Sequence, residues 1–295
     1  MRYPLLALVL AACGKSAAPA KDPPTPPPPP PTVAATPDAA PPVDAPPQPP
    51  PGQYATLADA LAKVIPADAR VIGFGELHAR VDRAQVKSAL SHFTAALPSF
   101  GDKISDLVVE TFIVDPKCGQ SAQTATKQME TEVKRPEATK SEIQLLADAA
   151  RAAKIQPHAM TLSCADYKVL VPKGQVDPLA MLTITTRELK RIALSGVAHR
   201  DKEGNPRPWI ALYGGALHND LQPDPAIKEW SYAAAVDTAT KGRFVEIDLI
   251  VPELAAPDPN SQKQPWFDLV KNAGDWIQIF KRTDHSFVVV LAKTK

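Results

Sequence analysis

Two short motifs carry the residue types that move protons or hold metals, each directly behind an apolar run. Gly75-Glu76-Leu77-His78 follows Val71-Ile72-Gly73-Phe74, and Gly215-Ala216-Leu217-His218 follows Trp209-Ile210-Ala211-Leu212-Tyr213. A third apolar run, Val108-Val109, ends in Glu110-Thr111. In an open α/β sheet, ligands bind in the crevice beyond the carboxyl ends of the strands, so residues far apart in the chain share one rim. The spacing therefore predicts Glu76, His78, Glu110 and His218 together. Two imidazoles and two carboxylates suit water activation by general acid–base catalysis. The same four are also a ligand set for a divalent metal.

Glu76 and His78 are separated by one residue, so in extended backbone their side chains point the same way. Both histidines are expected in solvent-facing loops. Asn219 and Asp220 are positioned to orient the His218 ring, or to cap a following helix. Asp166 and Tyr167, beyond another strand-like run, are expected as surface loop residues on the same rim. His92, His158, His199 and His285 are expected to be structural, the first on a helix beside its apolar stripe and the last in a hairpin turn. The chain has no G-x-S-x-G, H-E-x-x-H or phosphate-binding P-loop.

The N-terminus addresses the chain. Arg2 precedes a short apolar run, and Leu10-Ala11-Ala12-Cys13 matches the cleavage pattern of a bacterial lipoprotein signal. That run falls far short of the roughly 20 apolar residues that span a bilayer. The expectation is a signal peptide over 1–12 and acyl chains on Cys13 that bind the lipid bilayer. Gly14 after the cysteine points to the outer membrane, with the protein facing the periplasm or the cell surface. Residues 19–51 hold 17 of the 33 prolines. Such a stretch builds no core and extends as polyproline II, a spacer over 13–53 between anchor and folded domain.

About 240 residues remain over 54–295, enough for one large α/β domain. A net charge of +1 without a Lys/Arg cluster gives no electrostatic case for nucleic acid. With Cys13 assigned to lipid, Cys118 and Cys164 remain in a compartment that permits disulfides, and a bridge between them is expected.

The elements needed to position the motifs follow from periodicity. Val71–Gly75, Leu107–Phe112, Ile155–Leu162 and Trp209–Tyr213 read as strands, the third weakened by Pro157. Val86, Leu90, Phe93 and Leu97 recur with a helical period and predict a helix over 81–97. Further helices are expected over 120–154 (interrupted near Pro136, with Ser141 as a cap), 183–198, 225–237 and 266–272. Residues 243–251 alternate, which predicts a strand with one wet face bearing Glu246 and Asp248. Residues 276–280 and 287–291 predict a β-hairpin at a sheet edge. The alternation of elements argues an α/β fold with a mostly parallel sheet, flanked by helices, and an antiparallel edge hairpin at the C-terminus.

The G-E-x-H motif after the first strand, the Glu ending the second and the G-x-x-H after a later one resemble the erythromycin esterase / ChaN-like / Tiki-TraB superfamily. The resemblance covers roughly residues 55–292. It implies a hydrolase acting on an ester, lactone or amide bond of a small-molecule or peptide ligand, with Glu76, His78, Glu110 and His218 at work. Metal-dependent proteases occur in that superfamily, so the same four residues are expected as ligands if a divalent ion binds. ChaN-like lipoproteins bind haem without hydrolysis, and for that alternative Tyr167 and Tyr213 are candidate axial ligands.

Overall fold

The computed structural model describes residues 48–113, 115–118, 127–128, 136–172 and 175–294. The signal segment, Cys13 and all but the last residues of the proline-rich stretch lie outside them, as does most of the 120–135 stretch expected to be helical. The chain divides after Pro46, and the fold belongs to the unit that begins at Pro47.

Eight strands build one sheet: β1 (Gln53–Tyr54), β2 (Val71–Glu76), β3 (Ile104–Ile113), β4 (Gln156–Thr161), β5 (Trp209–Gly215), β6 (Phe244–Ile250), β7 (Ile277–Thr283) and β8 (Ser286–Val290). Their order is β1-β7-β8-β6-β2-β5-β3-β4. β8, β6, β2, β5, β3 and β4 run parallel, while β7 is antiparallel to β8 and β1 antiparallel to β7. The fold class is the expected α/β one. The hairpin β7–β8 is not outermost, however, because the two-residue β1 pairs beyond it. At the other edge, β4 accommodates Pro157, since an edge strand needs only one row of ladder hydrogen bonds.

The helices are α1 (Leu57–Val64), α2 (Ala89–Ala96), α3 (Ala138–Ala152), α4 (Cys164–Leu170), α5 (Pro178–Glu203), α6 (Ala233–Thr240), α7 (Pro252–Ala255) and α8 (Phe267–Lys271). α1, α2 and α3 close a core over one sheet face, with Leu61, Leu90, Phe93 and Leu146 packed on Ile72, Phe74, Leu107 and Tyr213. α5 and α6 cover the other face through Leu189, Ala193, Ala233 and Val236 on Val71, Val108 and Leu212. With helices on both sides, the central strands are buried on both faces, which is why β2 and β5 read as continuous apolar runs.

Several boundaries differ from expectation for local reasons. α2 begins only at Ala89, because the Ser88 hydroxyl caps the Ser91 amide; residues 77–87 form a loop and a short 3-10 turn instead. α3 begins at Ala138 with Glu137 before it, so Ser141 is no cap. α5 runs five residues further each way, from an Asp177 cap that takes two backbone N–H groups to Gly204 in the left-handed region. The helix expected over 225–237 forms only from Ala233.

β6 has no wet face. Glu246 and Asp248 are 1% and 4% exposed. Arg282 of β7 donates to both, 2.5 Å to Glu246 and 2.8 Å to Asp248. Cys118 and Cys164 are joined in a disulfide with Cα atoms 5.1 Å apart, tying the segment after β3 to the start of α4.

Candidate active site

β2, β5 and β3 are neighbours and run the same way, so their carboxyl ends form one rim. Glu76 ends β2, His78 follows it, Glu110 lies near the end of β3, and His218 is three residues past β5. All four line one cavity of about 800 Å3 over that rim. Its walls come from the loop after β2, from α3 and from α5.

The contacts around His78 form a chain. Tyr213 donates its hydroxyl to Glu76 Oε2 at 2.6 Å. Glu76 Oε1 lies 2.9 Å from His78 Nδ1. A carboxylate that already accepts from tyrosine is an acceptor here too, so Nδ1 carries the ring proton. His78 Nε2 then faces Glu110 Oε1 at 3.6 Å, and Glu110 Oε2 accepts from the Gly215 amide at 2.6 Å. Packing fixes the start of the chain, because the Tyr213 ring stacks on Phe93 at 4.9 Å and Phe93 meets Phe74 at 4.6 Å. Such ring pairs contribute about 0.5–1.5 kcal/mol beyond their buried area.

Two glycines make the close approach possible. A Cβ at Gly214 would stand 2.9 Å from the Glu110 Cβ, and one at Gly215 would stand 3.0 Å from His78 Nε2. β5 can bring its backbone amide to Glu110 only because it carries no side chains there.

His218 is not solvent-facing. It is 4% exposed, and its Nδ1 lies 2.9 Å from Trp230 O and 2.8 Å from the Thr186 hydroxyl of α5. A carbonyl only accepts, so Nδ1 of the neutral ring carries the proton and Nε2 keeps the lone pair. Thr186 also lies 2.9 Å from Leu182 O and 2.8 Å from Trp230 O, donating to these carbonyls. Sequence reasoning missed Thr186 and Trp230 and assigned their role to Asn219 and Asp220. Asn219 is instead buried, donating to Gly73 O at 3.0 Å and to Asp248 at 3.3 Å. Asp220 accepts from the Gln222 amide in a local turn.

Other expected candidates leave the site. Asp166 completes a capping box with Ser163 at the start of α4 and pairs with Arg187 at 2.9 Å. Burial pushes its carboxyl up, but these hydrogen bonds outweigh it and hold the carboxyl below its usual range. Tyr167 is a core residue whose hydroxyl donates to Ile113 O. With Tyr213 equally buried and committed to Glu76, neither tyrosine is presented as an axial ligand to haem. Among the described residues no three His, Cys, Asp or Glu side chains are grouped to hold an ion. The Nδ1 contacts of His78 with Glu76 and of His218 with Thr186 and Trp230 orient both rings.

None of the other four histidines lines this cavity. His158 contacts Asp106 at 2.8 Å, and Arg200 grips the same carboxylate through Nε and Nη2. Burial raises that carboxyl, yet His158, Arg200 and Ser105 together hold it well below the usual range. His199 pairs with Glu203 and His285 lies on Phe244 O. His92 is half-buried on α2, and burial lowers it to about 4.

No family model and no curated protein matches the chain. Among solved structures the type III effector HopBA1 is similar, at 12% identity and a TM-score of 0.40 over 76% of this chain and 88% of its own. The chemistry is to be sought in the rim itself.

Proposed function

We propose that this protein hydrolyses an ester, lactone or amide bond at the rim formed by β2, β5 and β3. One observation carries the reading: an imidazole held at Nδ1 by a carboxylate, with its Nε2 turned to a second carboxylate at the wall of a large cavity. Glu76 fixes the tautomer and stabilises the cation that forms, and Tyr213 fixes Glu76. Water between Nε2 and Glu110 gives a proton to His78 as its oxygen adds to the carbonyl carbon. The intermediate then collapses, the C–O or C–N bond breaks, and His78 returns the proton to the leaving group. His218, with its lone pair on Nε2, accepts a hydrogen bond from the water. No metal takes part in this scheme. The motif resemblance to the erythromycin esterase / ChaN-like / Tiki-TraB superfamily agrees with it. The lipobox extends the reading to a protein held on a bilayer through Cys13.

The test is turnover of p-nitrophenyl esters by the purified domain. Activity in the wild type, lost in His78→Ala and reduced in His218→Ala, is the expected result. Failure of every ester, with a haemin spectrum that shifts on adding wild type but not His78→Ala, overturns it in favour of haem binding. Membrane fractionation tests the anchor: wild type in the membrane, Cys13→Ser released or uncleaved. A soluble, unlipidated wild type removes it.

A further inference from the structure

We propose that the substrate is an amphiphile whose apolar acyl group fills the cavity, an inference that rests on the hydrolytic reading above. The cavity is far larger than the reacting atoms need, and about 800 Å3 lies within the range that encloses a drug-sized ligand. Its polar groups are not spread evenly. Glu76, His78, Glu110 and His218 are gathered at the strand ends, while the rest of the lining is mostly apolar, with Leu77, Phe112, Ile143, Met181, Leu182 and Leu217 set among three threonines. These come from five separate segments, so the apolar lining surrounds the space rather than forming one stripe. Apolar walls exclude water from whatever they enclose and add binding only for apolar groups.

The lining also includes Lys127, Glu137 and Lys140, charges of both signs that suit a polar head group without selecting its charge. Val81, which lines the cavity, is 60% exposed. A large apolar side chain left in water there continues the lining outward. A mostly apolar lining, a polar reacting end and a few charged groups together match an acyl chain with a hydrophilic partner. A polyhydroxylated or highly charged substrate would leave its polar groups facing leucine, isoleucine and methionine without hydrogen bonds. Met181 adds tolerance of chain shape, since an unbranched thioether side chain repacks readily.

The experiment is a chain-length series of p-nitrophenyl esters, acetate to decanoate, with the wild-type domain and with Ile143→Trp and Met181→Trp. Both residues belong to the cavity lining, and Ile143 also lines the small pocket that Glu76, His78 and Glu110 share, so the readout is long-chain turnover relative to acetate. Specificity kcat/KM is expected to rise about threefold to fourfold per methylene, the fold-change of a fully buried CH2, and then to level as the cavity fills. Each tryptophan should shorten the preferred chain, lowering kcat/KM for decanoate relative to that for acetate. Because a tryptophan can disturb packing, a second measurement is the thermal shift given by decanoate, expected in wild type and reduced in both variants. Acetate turnover with no gain for longer chains overturns the acyl inference and leaves the hydrolytic reading standing. No turnover of any ester, with a decanoate shift that the tryptophans abolish, overturns hydrolysis and supports the cavity as an acyl site. Neither turnover nor shift overturns both.

Discussion

At the rim, Glu76 and Glu110 flank the His78 ring; one strand away, Glu246 and Asp248 of β6 share the guanidinium of Arg282. Each place sets two carboxylates around one nitrogen group. The first group is an imidazole, which can accept and release a proton, and it borders a cavity. The second never gives up its charge and lies beneath the His218 loop, where Leu221 N–H donates to Glu246 and the Asn219 amide to Asp248. The same arrangement of charge can therefore move protons or can only hold the fold together. What decides is whether the central base titrates and whether a ligand can reach it.

The contrast is broken most sharply by removing each centre. Arg282→Met leaves two buried carboxylates without a cation, and a loss of about 3–5 kcal/mol is expected in urea unfolding. His78→Ala should cost no more than about 1 kcal/mol, since its side chain is 28% exposed, yet lower hydrolysis by roughly 10²–10⁴. If the two variants lose similar stability, the rim is structural. A control near the rim comes from the disulfide: changing Cys118 and Cys164 to serine removes up to about 4 kcal/mol in the chain-entropy model. Hydrolysis measured well below the unfolding temperature should persist in that double variant.

The pH dependence of stability sharpens the comparison further. Burial and the neighbouring Asp248 raise Glu246 to about 7, and burial raises Asp248 as well. A carboxyl raised in the fold contributes stability that is complete below its unfolded value and lost as pH climbs through the folded one. Stability should therefore fall by up to about 3 kcal/mol between pH 4.5 and 7 from this cluster, and Glu246→Gln should flatten that slope. His92 works the other way. Lowered by burial to about 4, it loses stability as pH falls from 6.5 towards 4, so His92→Gln should steepen the net decline with rising pH. The smallest expected effect is that of Tyr213→Phe, which keeps the ring stack but frees Glu76 Oε2. Turnover should drop roughly tenfold, with His78 still present to be titrated by NMR.

Much of the sheet could be read from the chain because central parallel strands are apolar throughout, and Val71–Phe74 or Trp209–Tyr213 allow no other reading. The rim followed from parallel direction alone, which is why Glu76, His78, Glu110 and His218 were legible together. The contacts that tune them were not. Thr186 belongs to a long helix whose periodicity says nothing of a hydroxyl turned to a loop thirty-two residues on. Glu246 and Asp248 alternate with apolar residues just as solvated positions do, and the partner that seals them, Arg282, is two strands over in the sheet. Ser88 hid the true start of α2 because the apolar spacing continues upstream through Val86. Alternation reports which residues share a face; it is silent on what covers that face.

Gly75 pairs with Gly214, and Glu76 with Gly215, at the ends of the two central strands. One added methyl group at Gly214 would enter the space of Glu110. On the hydrolytic reading, the site is then silenced without altering a single acid or base. A comparison of related chains keyed on the charged residues would count such a protein as active, whereas the two positions that carry no side chain would tell working and silent versions apart.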